Sequence, residues 1–152
     1  MSALDELYQS VILDHNRNPR NWGRLPAPAR QADGYNPLCG DQVAVYVLVD
    51  GDTVREVTFE GQGCAISKAS ASLMTTAVKG RPRAEVERLV GGFHDLVTGK
   101  GATEGARALP SSLRVFANVA QFPTRVKCAS LAWHALRAAL DDKPPAVVQL
   151  GS

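Results

Sequence analysis

Three cysteines and one aspartate concentrate the reactive chemistry of this sequence. Cys39 stands in Tyr35-Asn36-Pro37-Leu38-Cys39-Gly40-Asp41, Cys64 in Gly61-Gln62-Gly63-Cys64-Ala65, and Cys128 in Arg125-Val126-Lys127-Cys128-Ala129. An odd number of thiols cannot pair off completely, and a chain of 152 residues does not need disulfides to hold a core. Each cysteine falls at an expected element boundary. Cys39 is in a turn where Gly40 gives the backbone latitude, while Cys64 and Cys128 stand at expected helix starts, where free N–H groups and the helix dipole favour a thiolate. The thiolate is both the better nucleophile and the better metal ligand. A bend at Gly40 can turn the Asp41 carboxylate and the Cys39 sulfur toward one point, and Cys64 and Cys128 would complete a four-ligand set. Three sulfurs and an oxygen suit tetrahedral zinc; they also suit an iron–sulfur cluster, for which an Asp ligand is atypical and more labile. No C-x-x-C pair is present, and free cysteine is often a small buried hydrophobe. On spacing alone, an inert-core reading therefore stands beside the metal or persulfide reading.

Other candidates are weaker. His15, His94 and His134 have no ligand-spaced neighbours and read as structural or solvated. Arg125 and Lys127 are either a solvated basic pair or cations that favour thiolates and receive an acidic partner surface. Gly61-Gln62-Gly63 lacks the further glycine and the Lys-Ser/Thr pair of a phosphate loop, so Gly63 is expected to let the backbone approach the metal closely. Tyr8 and Trp133 sit at core-facing spacing.

The elements that must position these residues follow from periodicity. Leu4, Leu7, Tyr8, Val11 and Ile12 predict a first helix over 2–15, capped by Ser2. A breaker-dense path runs from Asn16 to Cys39, with a short strand near Arg30 to Asp33. Gln42–Asp50 and Thr53–Glu60 flank Asp50-Gly51-Asp52 and predict an antiparallel hairpin whose first strand is covered on both faces. Val54, Val57 and Phe59 do not keep one parity, which points to a twist or bulge. Helices are predicted from Cys64 to Lys79 and from Pro82 to Val97, the latter interrupted at Gly91-Gly92. An exposed Gly-rich connector follows over 98–110, then a helix from Ser111 or Ser112 to Val119, and a last one from Cys128 to Leu140, ended by Asp141-Asp142-Lys143-Pro144-Pro145. The expected fold class is α+β, a small antiparallel sheet of about three strands with helices on one side, in a single domain over 1–152.

Composition narrows the function classes. With 45% hydrophobic and 21% charged residues the chain is of ordinary globular type. A net charge of +2 with interleaved signs shows no basic stripe for nucleic acid. The longest apolar run, Val43 to Val49, is far below the roughly 20 residues of a membrane span. The opening Met1-Ser2-Ala3-Leu4-Asp5-Glu6 turns acidic where a signal peptide would be basic and then apolar, so a cytoplasmic location with reduced thiols is expected.

The three cysteine segments, Tyr35 to Asp41, Gly61-Gln62-Gly63-Cys64-Ala65-Ile66-Ser67 and Lys127-Cys128-Ala129-Ser130-Leu131-Ala132-Trp133, resemble in order the three cysteine motifs of the IscU/NifU/SufU iron–sulfur assembly family. Lys127 stands where IscU proteins have histidine, and the 64 positions from Cys64 to Cys128 suit the insertion of the SufU branch. The resemblance implies that Cys39, Asp41, Cys64 and Cys128 bind one zinc ion and that Cys39 accepts persulfide sulfur from a SufS-type cysteine desulfurase. A histidine of that partner would replace Cys39 on zinc, and the sulfur would pass to a SufBCD-type scaffold. Asp41, the hard ligand among sulfurs, would be the most easily exchanged. The rival within the same resemblance is a scaffold that holds a transient cluster on the three cysteines. Phe122-Pro123-Thr124-Arg125-Val126-Lys127 replaces the Leu-Pro-Pro-Val-Lys segment of IscU proteins, which implies no Hsc-type chaperone partner.

Overall fold

The computed structural model describes residues 3–37, 40–141 and 147–149, with side chains described over 10–37 and 40–141. Cys39, the expected cap Ser2, and the stop signal at 142–145 lie outside the described residues. Leu4, Leu7 and Tyr8 lie outside the described side chains.

The chain folds as α1 (Ala3–Arg17), β1 (Arg30–Asn36), β2 (Asp41–Asp50), β3 (Thr53–Gln62), α2 (Ala65–Val78), β4 (Arg81–Pro82), α3 (Arg83–Val97), α4 (Glu104–Arg107), a 3-10 helix (Arg114–Gln121), α5 (Pro123–Asp141) and β5 (Val147–Gln149). The fold class is α+β, as the alternation and periodicity require. The sheet has five strands in the order β4-β3-β2-β1-β5, antiparallel except for the β1–β5 pair. It therefore exceeds the expected three strands by β4 and β5, which are two and three residues long and too short to show a period. The register shifts between Leu48 and Val49, so the mixed parity of the second strand does mark an irregularity.

One face of the sheet carries Ala32, Val43, Val45, Val47, Val57 and Phe59, all buried. Against it α5 packs over β1 and β2, and α2 over β3. Leu131, Ala132, Ala135, Leu136 and Leu140 form the buried stripe of α5, and Ile66, Ala69, Leu73, Met74 and Ala77 that of α2. On the outer face Tyr46 is also buried and its hydroxyl donates to Glu60 Oε1 at 3.3 Å, so β2 is covered on both sides at its centre.

Three local expectations are corrected. First, α5 starts at Pro123, five residues before Cys128. Proline suits the first helical position because its missing N–H has no partner there, but Thr124 to Lys127 carry no apolar stripe to reveal the turn. Second, α3 is continuous through Gly91-Gly92, because the bare Gly92 backbone is where Gly105 of the α4 segment comes into contact. Third, the 98–110 connector is only partly exposed. Thr103 caps α4 by accepting the Ala106 N–H at 3.2 Å, and Ala106 and Leu109 are buried. Beyond it the expected helix takes the 3-10 form over Arg114–Gln121 and buries Val115, Phe116 and Val119. Phe93 stacks on Trp133 with ring centroids 4.4 Å apart and meets Phe116 edge-on at 5.6 Å, which ties α3 and the 3-10 helix to α5.

Candidate metal centre

Asp41 is the first residue of β2 and pairs in register with Asn36, the last residue of β1. The four-residue connection between them is closed by the Gly40 N–H donating to the Asn36 carbonyl at 2.8 Å, with Gly40 at φ +72°. That left-handed conformation is one glycine adopts without steric cost. The expected bend at Gly40 is thus present, and it returns the chain so that the Asp41 side chain points inward and is fully buried.

Cys64 is the N-cap of α2, and its sulfur accepts the Ser67 N–H at 3.4 Å. Its own backbone N–H donates to Asp41 Oδ1 at 2.8 Å, and its thiol faces Oδ2 at 3.7 Å. A side chain on Gly63 would collide with the Asp41 carboxylate, so this glycine does permit a close approach, to the aspartate itself. Cys128 enters from α5 and is buried. Because α5 begins at Pro123, Cys128 lies in the second turn, beyond the reach of the dipole at the helix start. Its neighbours are instead Cys64 and the carboxamide of Asn36, whose Nδ2 is 4.0 Å from the sulfur.

The ligand atoms of Asp41, Cys64 and Cys128 all lie within 4.8 Å of one another. Zinc bound at about 2.3 Å to sulfur and about 2.0 Å to oxygen in a tetrahedron places sulfurs about 3.8 Å apart and sulfur and oxygen about 3.5 Å apart. The 3.7 Å between Cys64 Sγ and Asp41 Oδ2 already matches, and the set as a whole needs at most about 1 Å of closure. The donors therefore fit one small ion with a fourth position left for another ligand.

The site favours ionised sulfur. The Cys64 thiol is brought down from 9.0 to about 7, chiefly by its hydrogen bond with Cys128 and then by the Ser67 and Ile66 amides, against burial and the Asp41 carboxylate. Cys64 is thus poised to ionise near neutral pH.

Of the remaining expected residues, Arg125 is exposed in the first turn of α5 and Lys127 is half-buried next to Cys128. Neither forms an ion pair among the described residues. His15 is structural: its Nδ1 bonds Ser72 Oγ at 2.7 Å, and burial is the main cause that lowers its pKa. His94 and His134 line a separate groove of about 700 Å³ between α3, α4 and α5, which none of the three clustered residues reaches. Sequence reasoning missed Asn36. Its signal was a polar residue on the same strand parity as the buried Ala32 and Gly34.

The NifU-like N-terminal domain family matches residues 7–91. The chain belongs to that family. It is 41% identical over 133 residues to the zinc-dependent sulfurtransferase SufU of Bacillus subtilis, covering 88% of each chain. It is 37% identical to the iron–sulfur cluster assembly scaffold protein IscU of Streptococcus pyogenes, covering 92% of this chain and 86% of the relative. The crystal structure of FiSufU from Fervidobacterium islandicum AW-1 superposes with a TM-score of 0.80 at 32% identity, covering 89% of this chain and 97% of that one. No helix among the described residues is long and apolar enough to cross a membrane.

Proposed function

We infer that this protein is a zinc-dependent sulfurtransferase of iron–sulfur cluster biogenesis, in which Cys39 accepts sulfur from the persulfide of a SufS-type cysteine desulfurase and relays it to a SufBCD-type scaffold. The observation that carries this reading is the convergence of Asp41, Cys64 and Cys128 within 4.8 Å, a donor set for one tetrahedral ion that lacks one ligand. Cys39, two residues before Asp41 in the sequence, supplies that ligand in the reading. The 41% identity to a protein named for zinc-dependent sulfur transfer supports it.

Bound zinc would keep the thiolates ionised and moderate their reactivity. Each of the chain's residues then has a defined task. Asp41 Oδ1 holds the Cys64 N–H, and the Ser67 N–H stabilises the Cys64 sulfur, so these two ligands are anchored to β2 and to the start of α2. Cys128 is anchored in α5. Cys39 belongs to the connection between two strands and is the one assigned to leave. In the transfer step its thiolate attacks the outer sulfur of the desulfurase persulfide. The new bond joins Cys39 Sγ to that sulfur, the partner's S–S bond breaks, and the electron pair leaves with the partner cysteine as its thiolate. Arg125 and Lys127 are assigned to favour thiolates at the site and to receive acidic partner surface.

Beside the ease of exchange expected of a hard ligand stands a second factor at Asp41: a fully buried carboxylate fixed by the Cys64 N–H is preorganised. A cluster-building scaffold is the competing reading, favoured by the names of the IscU relatives. Metal content separates the two. Protein purified from cells without added metal is expected to hold one zinc per chain and no acid-labile sulfide; stoichiometric iron with labile sulfide would establish the scaffold instead. Desulfurase turnover stimulated without any sulfur on Cys39 would reduce the protein to a docking factor.

A further inference from the structure

Among the described residues, Asn36 is the one fully buried side-chain amide that touches the candidate centre. It connects two parts of the site. Its carbonyl closes the connection that carries Cys39, and its Nδ2 lies 4.0 Å from Cys128 Sγ, a residue 92 positions away on α5. Across the strand pair it stands opposite Asp41. A buried amide at this place is costly unless its N–H groups are used, and leucine would fill similar space without that cost.

The charge of the centre supplies a use. Three thiolates and one carboxylate around a dication leave a buried group with two excess negative charges, which N–H donors must offset in place of water. Cys64 receives such a donor from Ser67. Cys128 lies beyond the first turn of α5, and its sulfur faces the Asn36 carboxamide. The contact is long for a neutral thiol, and negative charge on the sulfur shortens such bonds.

We propose that Asn36 is a positioning residue of the metal centre, donating a side-chain N–H to the Cys128 sulfur and thereby marking Cys128 as a ligand that stays when Cys39 leaves. This rests on the ligand set assigned above. An N–H···S bond withdraws charge from sulfur, so the donor makes Cys128 the poorer nucleophile of the pair and helps confine sulfur chemistry to Cys39.

The direct test uses the wild-type protein loaded with ¹¹³Cd in place of zinc. A scalar coupling between the metal and an Asn36 side-chain amide proton, carried through Cys128 Sγ, is expected in a proton–cadmium correlation spectrum. The cysteine β-protons serve as the internal positive control. Control signals without any Asn36 signal would overturn the proposal. In a second arm, Asn36→Leu is expected to weaken metal retention against a chelator by about 10- to 100-fold, and Asn36→Asp by more, since it places an acceptor against the thiolate. Retention equal to wild type in both folded variants would also overturn it. If Cys39 gains no persulfide while the coupling is present, the sulfur-transfer reading fails and Asn36 keeps its role; the reverse result removes Asn36 alone.

Discussion

Replacing Gly63 by alanine tests how tightly the aspartate is held. A Cβ at Gly63 would sit 2.9 Å from Asp41 Cγ and 3.1 Å from Asp41 Cβ, closer still to Oδ1, and so inside the contact surface of a fully buried carboxylate. Asp41 cannot swing aside cheaply, because Oδ1 holds the Cys64 N–H and its backbone is paired with Asn36. Relief therefore requires either a strained packing, at about 1–3 kcal/mol, or loss of a hydrogen bond to a charged group, at about 1.5–3 kcal/mol. Either route costs about 1–3 kcal/mol, which corresponds to a fall in Tm of about 2–12 °C for a domain of this size. Gly91→Ala is the matched control: its Cβ meets nothing within 4 Å inside a continuous helix, so it should raise stability by about 0.4–1 kcal/mol. Thermal unfolding of the metal-free protein by circular dichroism reads both, and zinc uptake against a colorimetric chelator reads the effect on the site. A Gly63→Ala protein that melts within 2 °C of wild type (about 0.5 kcal/mol) and takes up zinc equally would refute the clamp.

Three further outcomes are expected. The Cys64 thiol of the metal-free protein should titrate near 7, read as the pH midpoint of its alkylation rate by mass spectrometry. Its folded value lies below the ordinary 9.0, so the stabilisation it gives is full above about 9 and is lost as pH falls through 7; a midpoint at 9 contradicts this. Asp41→Asn keeps the acceptor for the Cys64 N–H but removes the charge that raises the Cys64 value, so the midpoint should move further down and zinc should be held more weakly, as chelator competition would show. Gly92→Ala drives a methyl into the Gly105 backbone and should lower Tm while leaving metal binding unchanged, measured by the same two assays.

Much of the site was legible because its residues announce themselves by type. The hairpin from Gln42 to Glu60 follows from alternating valines around Asp50-Gly51-Asp52, and it fixes Asp41 at the start of β2. The switch from period two to 3.6 after Gly63 locates Cys64 at a helix start, where it caps α2. At Cys128 the sequence misleads: Thr124 to Lys127, with Val126 as its single apolar residue, hides the start of α5 at Pro123, and contacts with Cys64 and Asn36 act where a helix dipole is expected. Gly91-Gly92 and Gly105 read as breakers because the sequence does not show that two bare backbones meet. Asn36 was overlooked because a polar residue at a strand end reads as a turn former until its burial is known.

The central claim is that Cys39 receives sulfur, and the most direct measurement is the intact mass of the protein after incubation with cysteine and a SufS-type desulfurase. A step of about 32 Da, the mass of one sulfur, is expected, located on Cys39 by peptide mapping and absent in Cys39→Ser. A wild-type protein that shows no such step while the desulfurase turns over, or a step that persists in Cys39→Ser, would contradict the account.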